Sequence, residues 1–138
     1  MLTVEKIGGT SMTKFHDVLN NIIIGNRSDL DFYHRVFVVS AYGGVTNWLL
    51  EHKKTGDPGV YEMFVKHDNF VRGLQKVLDK LLEINRSFKD LNLNVEVADN
   101  FITNRVVQAK NYLNSLADVL ATGYVNQHNI LLAAREIL

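Results

Sequence analysis

Twice within the first 46 residues, a short apolar run stops on a pair of glycines flanked by hydroxyl side chains. Leu2, Val4 and Ile7 lead into Gly8-Gly9-Thr10-Ser11; Val36-Phe37-Val38-Val39 leads through Ser40-Ala41-Tyr42 into Gly43-Gly44, with Thr46 just beyond. A β-branched run bounded by glycine reads as a strand. Hydroxyls after the turn can cap a helix by accepting from the free N–H groups of its first turn, which points to Thr10, Ser11 or Thr13 after the first strand. The helix that follows carries Phe15, Val18, Leu19, Ile22 and Ile23 at three- and four-residue spacing, a single apolar stripe, with Gly25 placed to end it. A second helix reads over "VTNWLLEHKK" (45–54), closed by Thr55-Gly56-Asp57-Pro58-Gly59. Strand, turn, helix, twice over, is the opening of an α/β domain with a parallel sheet and crossover connections. The unbroken run at 36–39 predicts a strand covered on both faces.

From Tyr61 to Leu138 the pattern is helical almost throughout. Phe70, Leu74, Val77, Leu81 and Ile84 form one stripe; Val97, Phe101, Val106, Ala109, Leu113, Leu116 and Leu120 form another, with "SFKDLNLN" between them. The stripes are too short and irregular for heptads, so an antiparallel helical hairpin is predicted. Two strands are few for a parallel sheet, which normally has roughly 4–6 members. The chain therefore reads as an N-terminal portion of a larger domain, 1–56 forming a βαβα half and 57–138 a helical portion, incomplete at its C-terminus. An uncovered sheet would expose apolar surface, so self-association through the helices or the open sheet edge is expected, as a homo-oligomer.

Composition narrows the chemistry. Fifteen basic residues balance fifteen acidic ones over 138 residues, so no overall field favours nucleic acid or an anionic membrane. The absence of cysteine removes disulfides and thiol chemistry. The start "MLTVEKIGG" has no signal-peptide pattern and no segment reaches the roughly 20 apolar residues of a membrane span, which points to a cytoplasmic protein. The N-x-S triplets at Asn26 and Asn85 then read as accidental. The five histidines (16, 34, 52, 67 and 128) show no metal-binding spacing, and no metal site is predicted within the chain. Lys53 and Lys54 read as a solvated helix end, and Trp48 as core.

Lys6 is the residue these observations do not absorb. A lysine near a strand end ordinarily snorkels to water. Here it lies two residues before a glycine turn, where bare amides and a helix start favour an anion. The order is not that of a Walker A loop, whose lysine follows its glycines. Ser40, Gly43, Gly44 and Thr46 repeat the arrangement on the second strand. Taken singly, each is an ordinary glycine turn with a threonine cap; two such turns on neighbouring parallel strands would face one crevice at the strand carboxyl ends.

Together, "VEKIGGTSM" and "VFVVSAYGGVTN" resemble the aspartokinases of the amino-acid-kinase family, whose motifs read approximately K-F-G-G-T-S-[VM] and V-V-V-S-A-x-x-G-x-T-[ND]. Ile7 replaces the usual Phe. The continuation "LLEHKKTGDPGVY" is similar to the branch associated with ectoine synthesis. The resemblance implies the three-layer, carbamate-kinase-like fold and phosphorylation of the L-aspartate β-carboxylate by ATP with Mg2+. It implies Lys6 as the catalytic cation against the transferring phosphoryl group, Gly8, Gly9, Thr10 and Ser11 as the phosphate-binding turn, and Ser40, Gly43, Gly44 and Thr46 beside the aspartate. The family's later L-S-x-G-E motif has no match: "LATGYVNQ" departs from it, Gln127 is no carboxylate, and "LLAAREIL" ends the chain where that motif is expected to follow. The 138 residues are therefore expected to be inactive alone. Two alternatives stay open, a related kinase acting on glutamate, acetylglutamate, carbamate or a nucleotide, and a non-catalytic helical assembly module.

Overall fold

The computed structural model describes residues 2–52 and 54–138, and these divide into two compact units, one ending at Thr46 and the other beginning at Asn47. The first unit holds two parallel strands, β1 (Thr3–Ile7) and β2 (Arg35–Val39), in a register that pairs Lys6 with Val38 and Ile7 with Val39. Between them run α1 (Gly9–Thr13), α2 (Phe15–Val18) and a wide π turn (Leu19–Ile24), then a short 3-10 turn (Asp29–Phe32).

One face of this sheet is covered. Ile7, Met12 and Val18 are buried together, with Phe15, Ile23, Phe37 and Tyr42 packed against them. The other face, which carries Val4, Lys6, Val36 and Val38, is open: Val4 is 68 % and Val38 51 % exposed. The strand predicted to be covered on both faces is thus covered on one, because the helices between β1 and β2 pack to a single side. The predicted stripe is also interrupted. The Gly25 N–H bonds to the Asn20 carbonyl at 2.8 Å, five residues back, which closes the π turn. That wider turn shifts the phase of the last apolar positions, so Ile23 still packs on the buried cluster while Ile22 and Ile24 face solvent.

The carbonyls that this turn leaves free are taken by arginines. Arg27 donates to Ile22 O at 2.5 Å; Arg35 donates to Ile23 O at 2.7 Å and Ile22 O at 3.0 Å. Cations at a helix C-terminus complete its unpaired acceptors and oppose its negative end. Arg35 also grips Glu5 across the sheet through two guanidinium nitrogens and lies 4.6 Å from the Phe37 ring centre. The hydrogen bond from Arg35 is the main cause that holds the Glu5 carboxyl below its ordinary value, against a smaller opposing effect of desolvation.

In the second unit, α4 (Val60–Val65), α5 (Phe70–Ser87), α6 (Val95–Ala121) and α7 (Gln127–Ile137) enclose a core of Val60, Phe64, Leu74, Val77, Leu113 and Ala134. Burying a leucine or valine of this kind stabilises by about 1.5–3 kcal/mol. α5 and α6 form the predicted antiparallel pair. Asn85 and Asp99, next to the connection, bond at 2.9 Å, while Leu74 and Leu113, far from it, share the core. Asn85 is itself buried, so the second N-x-S triplet is structural.

Two expectations fail here. Val97 (62 % exposed) and Phe101 (58 %) stand in solvent, because the five-residue step from 101 to 106 turns about 140° around a helix. The face that packs runs through Val106, Leu113, Leu116 and Ala117. The helix read over 45–54 stops early, as α3 (Val45–Leu49), because Glu51 bridges to Pro58 and His52 N–H bonds to Asp57 O at 3.0 Å around the Thr55-Gly56 turn. Lys53, read as part of the helix end, lies outside the described residues. Trp48 packs on the helical core as expected, with Lys80 Nζ 4.4 Å from its ring centre. No described helix is long and apolar enough to cross a membrane.

Candidate functional site

The two glycine turns meet at the carboxyl ends of β1 and β2, both within the first unit. Parallel pairing carries β2 past β1 in the same direction, and the Ser40 N–H extends the ladder to Ile7 O at 2.9 Å. Past that bond the turns touch. A methyl group built on Gly9 would lie 3.4 Å from Ala41 O and 3.6 Å from Ser40 Oγ. One built on Gly43 would lie 2.2 Å from Thr13 Oγ1 and 3.3 Å from Gly9 O. Only a residue without Cβ lets the second turn approach the first helix so closely. Gly44 follows at φ 93, a conformation that glycine adopts without strain, and delivers the chain into α3.

Backbone chemistry at the first turn differs from the expected capping. The N-cap of α1 is Gly8 and its cap makes no side-chain hydrogen bond. The helix starts immediately after the glycine, so Thr10, Ser11 and Thr13 fall inside it, beyond reach of the N-terminal amides. Thr13 Oγ1 donates back to Gly9 O at 3.1 Å. The first intrahelical bond is Met12 N–H to Gly8 O at 2.9 Å. The amides of Gly9, Thr10 and Ser11 precede it and have no acceptor within the helix. Thr10 and Ser11 are exposed, as is Ser40, whose Oγ lies near Gly9.

Lys6 stands on the open face of the sheet, two residues before this turn and beside Val38 in the register. It is exposed, and it forms no ion pair with another described residue; the nearest acid in sequence, Glu5, projects to the opposite face and is held by Arg35. Thr46 lies in the first turn of α3 and is exposed. Tyr42, between the turns, is half-buried against Ile7 and Met12, and that burial raises its hydroxyl above the ordinary value.

The structure thus brings Gly9, Ser40, Gly43 and Thr13 into contact, with Gly8, Thr10 and Ser11 bordering them. Thr13 as the packing partner of Gly43 was not legible as such; its four-residue spacing from Gly9 was the available signal. Neither turn contains an aspartate or glutamate, and among the described residues no three His, Asp or Glu side chains gather as metal ligands. The turn that departs from L-S-x-G-E joins α6 to α7. Gly123 there has φ 72, and the next residue, Tyr124, is 96 % exposed.

Comparison with known proteins follows the same direction. The chain is 43 % identical, over an alignment of 141 residues, to the aspartate kinase Ask_Ect of Stutzerimonas stutzeri (strain A1501). That alignment takes in the whole of this chain and 30 % of the relative, so the chain spans under a third of the length of the curated protein it matches. No family model matches the chain, and no solved structure matches it.

Proposed function

We propose, from the premise that this chain is homologous over its whole length to a stretch of an aspartate kinase, that it forms the phosphate- and substrate-facing part of such an enzyme. The complete protein would transfer the γ-phosphate of ATP to the β-carboxylate of L-aspartate within amino-acid or ectoine biosynthesis, on the three-layer fold of the amino-acid kinases. The observation that carries this reading is the contact of two glycine turns, the first of them two residues beyond a lysine that forms no ion pair with a described residue, with no acidic residue in either turn.

Two anions must approach each other in this reaction, so the protein's task is positioning and charge neutralisation more than covalent chemistry. The amides of Gly9, Thr10 and Ser11 suit phosphate oxygens, since they point out of a helix start and have no internal acceptor. Gly8 lets the backbone come close. Lys6 supplies a fixed positive charge for the transferring group and acts as an electrophilic clamp, not a general base. Ser40 and Thr46 offer hydroxyls to the aspartate, with Gly43 and Gly44 keeping the opening clear. ATP phosphates therefore fit the donor set of these turns. Magnesium is held through one or two carboxylates besides substrate phosphates, and the turns offer hydroxyls but no carboxylate, so they do not supply its protein ligands. No step is assigned to the metal here, and the 138-residue chain alone is read as inactive.

Exchanging these 138 residues for the matching stretch of the Stutzerimonas stutzeri enzyme provides the test. The chimera should release ADP in an aspartate-dependent manner, and Lys6→Met should lower kcat on the order of 10²–10³-fold, the scale of losing one charge-stabilising donor. A Lys6→Met chimera within threefold of its parent would overturn the role given to Lys6. Aspartate-dependent turnover by the 138 residues alone would overturn the incompleteness of the site.

A further inference from the structure

Where α4 packs on α5, the helical unit carries a hollow of about 150 Å3 whose lining lies wholly within residues 48–80. Trp48 and Met63 wall it, Val60 and Gly73 lie buried beneath, and Lys76 and Lys80 stand exposed at the rim. Gly73 is what lets Met63 lie there: a Cβ at position 73 would stand 2.8 Å from Met63 Sδ and 3.4 Å from Val60 Cγ2. The Lys80 ammonium sits 4.4 Å from the Trp48 ring centre, an attraction that holds it beside the hollow. Neither lysine forms an ion pair with a described residue, and the lining holds no acid. The next acids along α5, Asp79 and Glu83, lie outside the lining, and Asp79 accepts from Gln75 Nε2 at 2.9 Å. Two like charges one helical turn apart repel each other, so an anion shared between them relieves a repulsion as well as gaining an attraction. The volume is that of cavities which take a single benzene ring, and a thioether wall favours contact with an aromatic group. Wall and rim together select a flat ring that carries a negative charge, and a cationic head would be repelled.

We infer that this hollow binds a small aromatic monocarboxylate, with its ring against Trp48 and Met63 and its carboxylate between Lys76 and Lys80. The inference is independent of the aspartate-kinase reading, because none of these residues belongs to the glycine turns.

Calorimetric titration of the 138-residue chain with benzoate, benzyl alcohol, benzylamine and acetate tests it. Benzoate should saturate one site, and acetate should not. The alcohol and the amine should bind roughly tenfold more weakly, the scale of losing a hydrogen bond to a charged group. The ring current of bound benzoate should shift the Met63 methyl NMR signal and leave that of Met12, in the strand unit, in place. A double variant, Lys76→Gln with Lys80→Gln, changes two exposed side chains and should match its parent in far-UV circular dichroism. It should weaken benzoate roughly tenfold and leave benzyl alcohol unchanged. Five results would each overturn the inference: no saturable benzoate binding, benzylamine binding as tightly as benzoate, acetate saturating the same site, a Met63 methyl that benzoate leaves unmoved, or parental benzoate affinity in the folded double variant.

Discussion

The three long helices of the second unit each begin on an asparagine whose side chain accepts from the amide three residues on: Asn69 from Arg72, Asn94 from Val97, Asn126 from Asn129. The first helix of the other unit begins on Gly8 and has no such acceptor. Capping a helix start satisfies its free amides and stabilises the element; leaving it bare keeps those amides for something else. The same contrast runs through the packing. The helical unit encloses fully buried side chains such as Leu113, whereas the strand unit buries three hydrophobic residues on one side of its sheet and leaves Val4, Val36 and Val38 open on the other. Structural investment lies in the helices, and exposed, unsatisfied donors lie at the glycine turns.

The sharpest way to break this contrast is in the core. Leu113→Ala should destabilise the helical unit by about 2–5 kcal/mol in urea unfolding followed by far-UV circular dichroism; a loss below about 1 kcal/mol would mean that the side chain is not enclosed. Next comes the contact between the turns. Gly43→Ala should destabilise the strand unit, and Thr13→Ala should relieve part of that loss, with a coupling of roughly 0.5–3 kcal/mol in a double-mutant cycle. Strict additivity would separate the two turns.

Smaller effects sharpen the capping comparison. Asn94→Ala should remove about 1 kcal/mol, while Ser11→Ala should stay within about 0.5 kcal/mol, measured by the same unfolding. Equal losses would assign Ser11 the capping role that its position inside α1 denies it. Acid supplies the last test. Arg35 holds the Glu5 carboxyl below its ordinary value of 4.5. Its contribution is therefore present above about pH 4.5 and lost as pH falls through the lower folded value. Amide NMR melts of the strand unit should show it weakening below that pH, and Glu5→Gln should flatten the dependence; an unchanged slope would remove the pair from the account.

Local chemistry made much of this legible. The strand at Thr3–Ile7, the glycine turns, the end at Gly25 and the α5 stripe through Leu74 and Val77 all follow from short-range pattern, because side-chain period and glycine freedom act within a few residues. The misreadings share another cause. Val97 and Phe101 are apolar but off-phase from the buried face, and only the packing partner reveals which face that is. Thr10 and Ser11 are good caps in composition, but the helix is capped at Gly8, ahead of both, and starts too early to use them. Val36 and Val38 read as buried strand, yet burial depends on what lies above the sheet and not on the strand itself.

By itself, then, the amino-acid order determined the two parallel βα turns, the helical remainder, the acid-free glycine motifs and the lysine ahead of them, since all depend on residues close together in the chain. Tertiary structure alone decided that Gly43 abuts Thr13 and Gly9, that Arg35 draws Glu5 and the π turn together, and that Lys76 and Lys80 edge a hollow walled by Trp48 and Met63. Those facts join residues 12 to 30 or more positions apart, or set a helix's rotation against its neighbours. Distance in space, which no local pattern encodes, settles them.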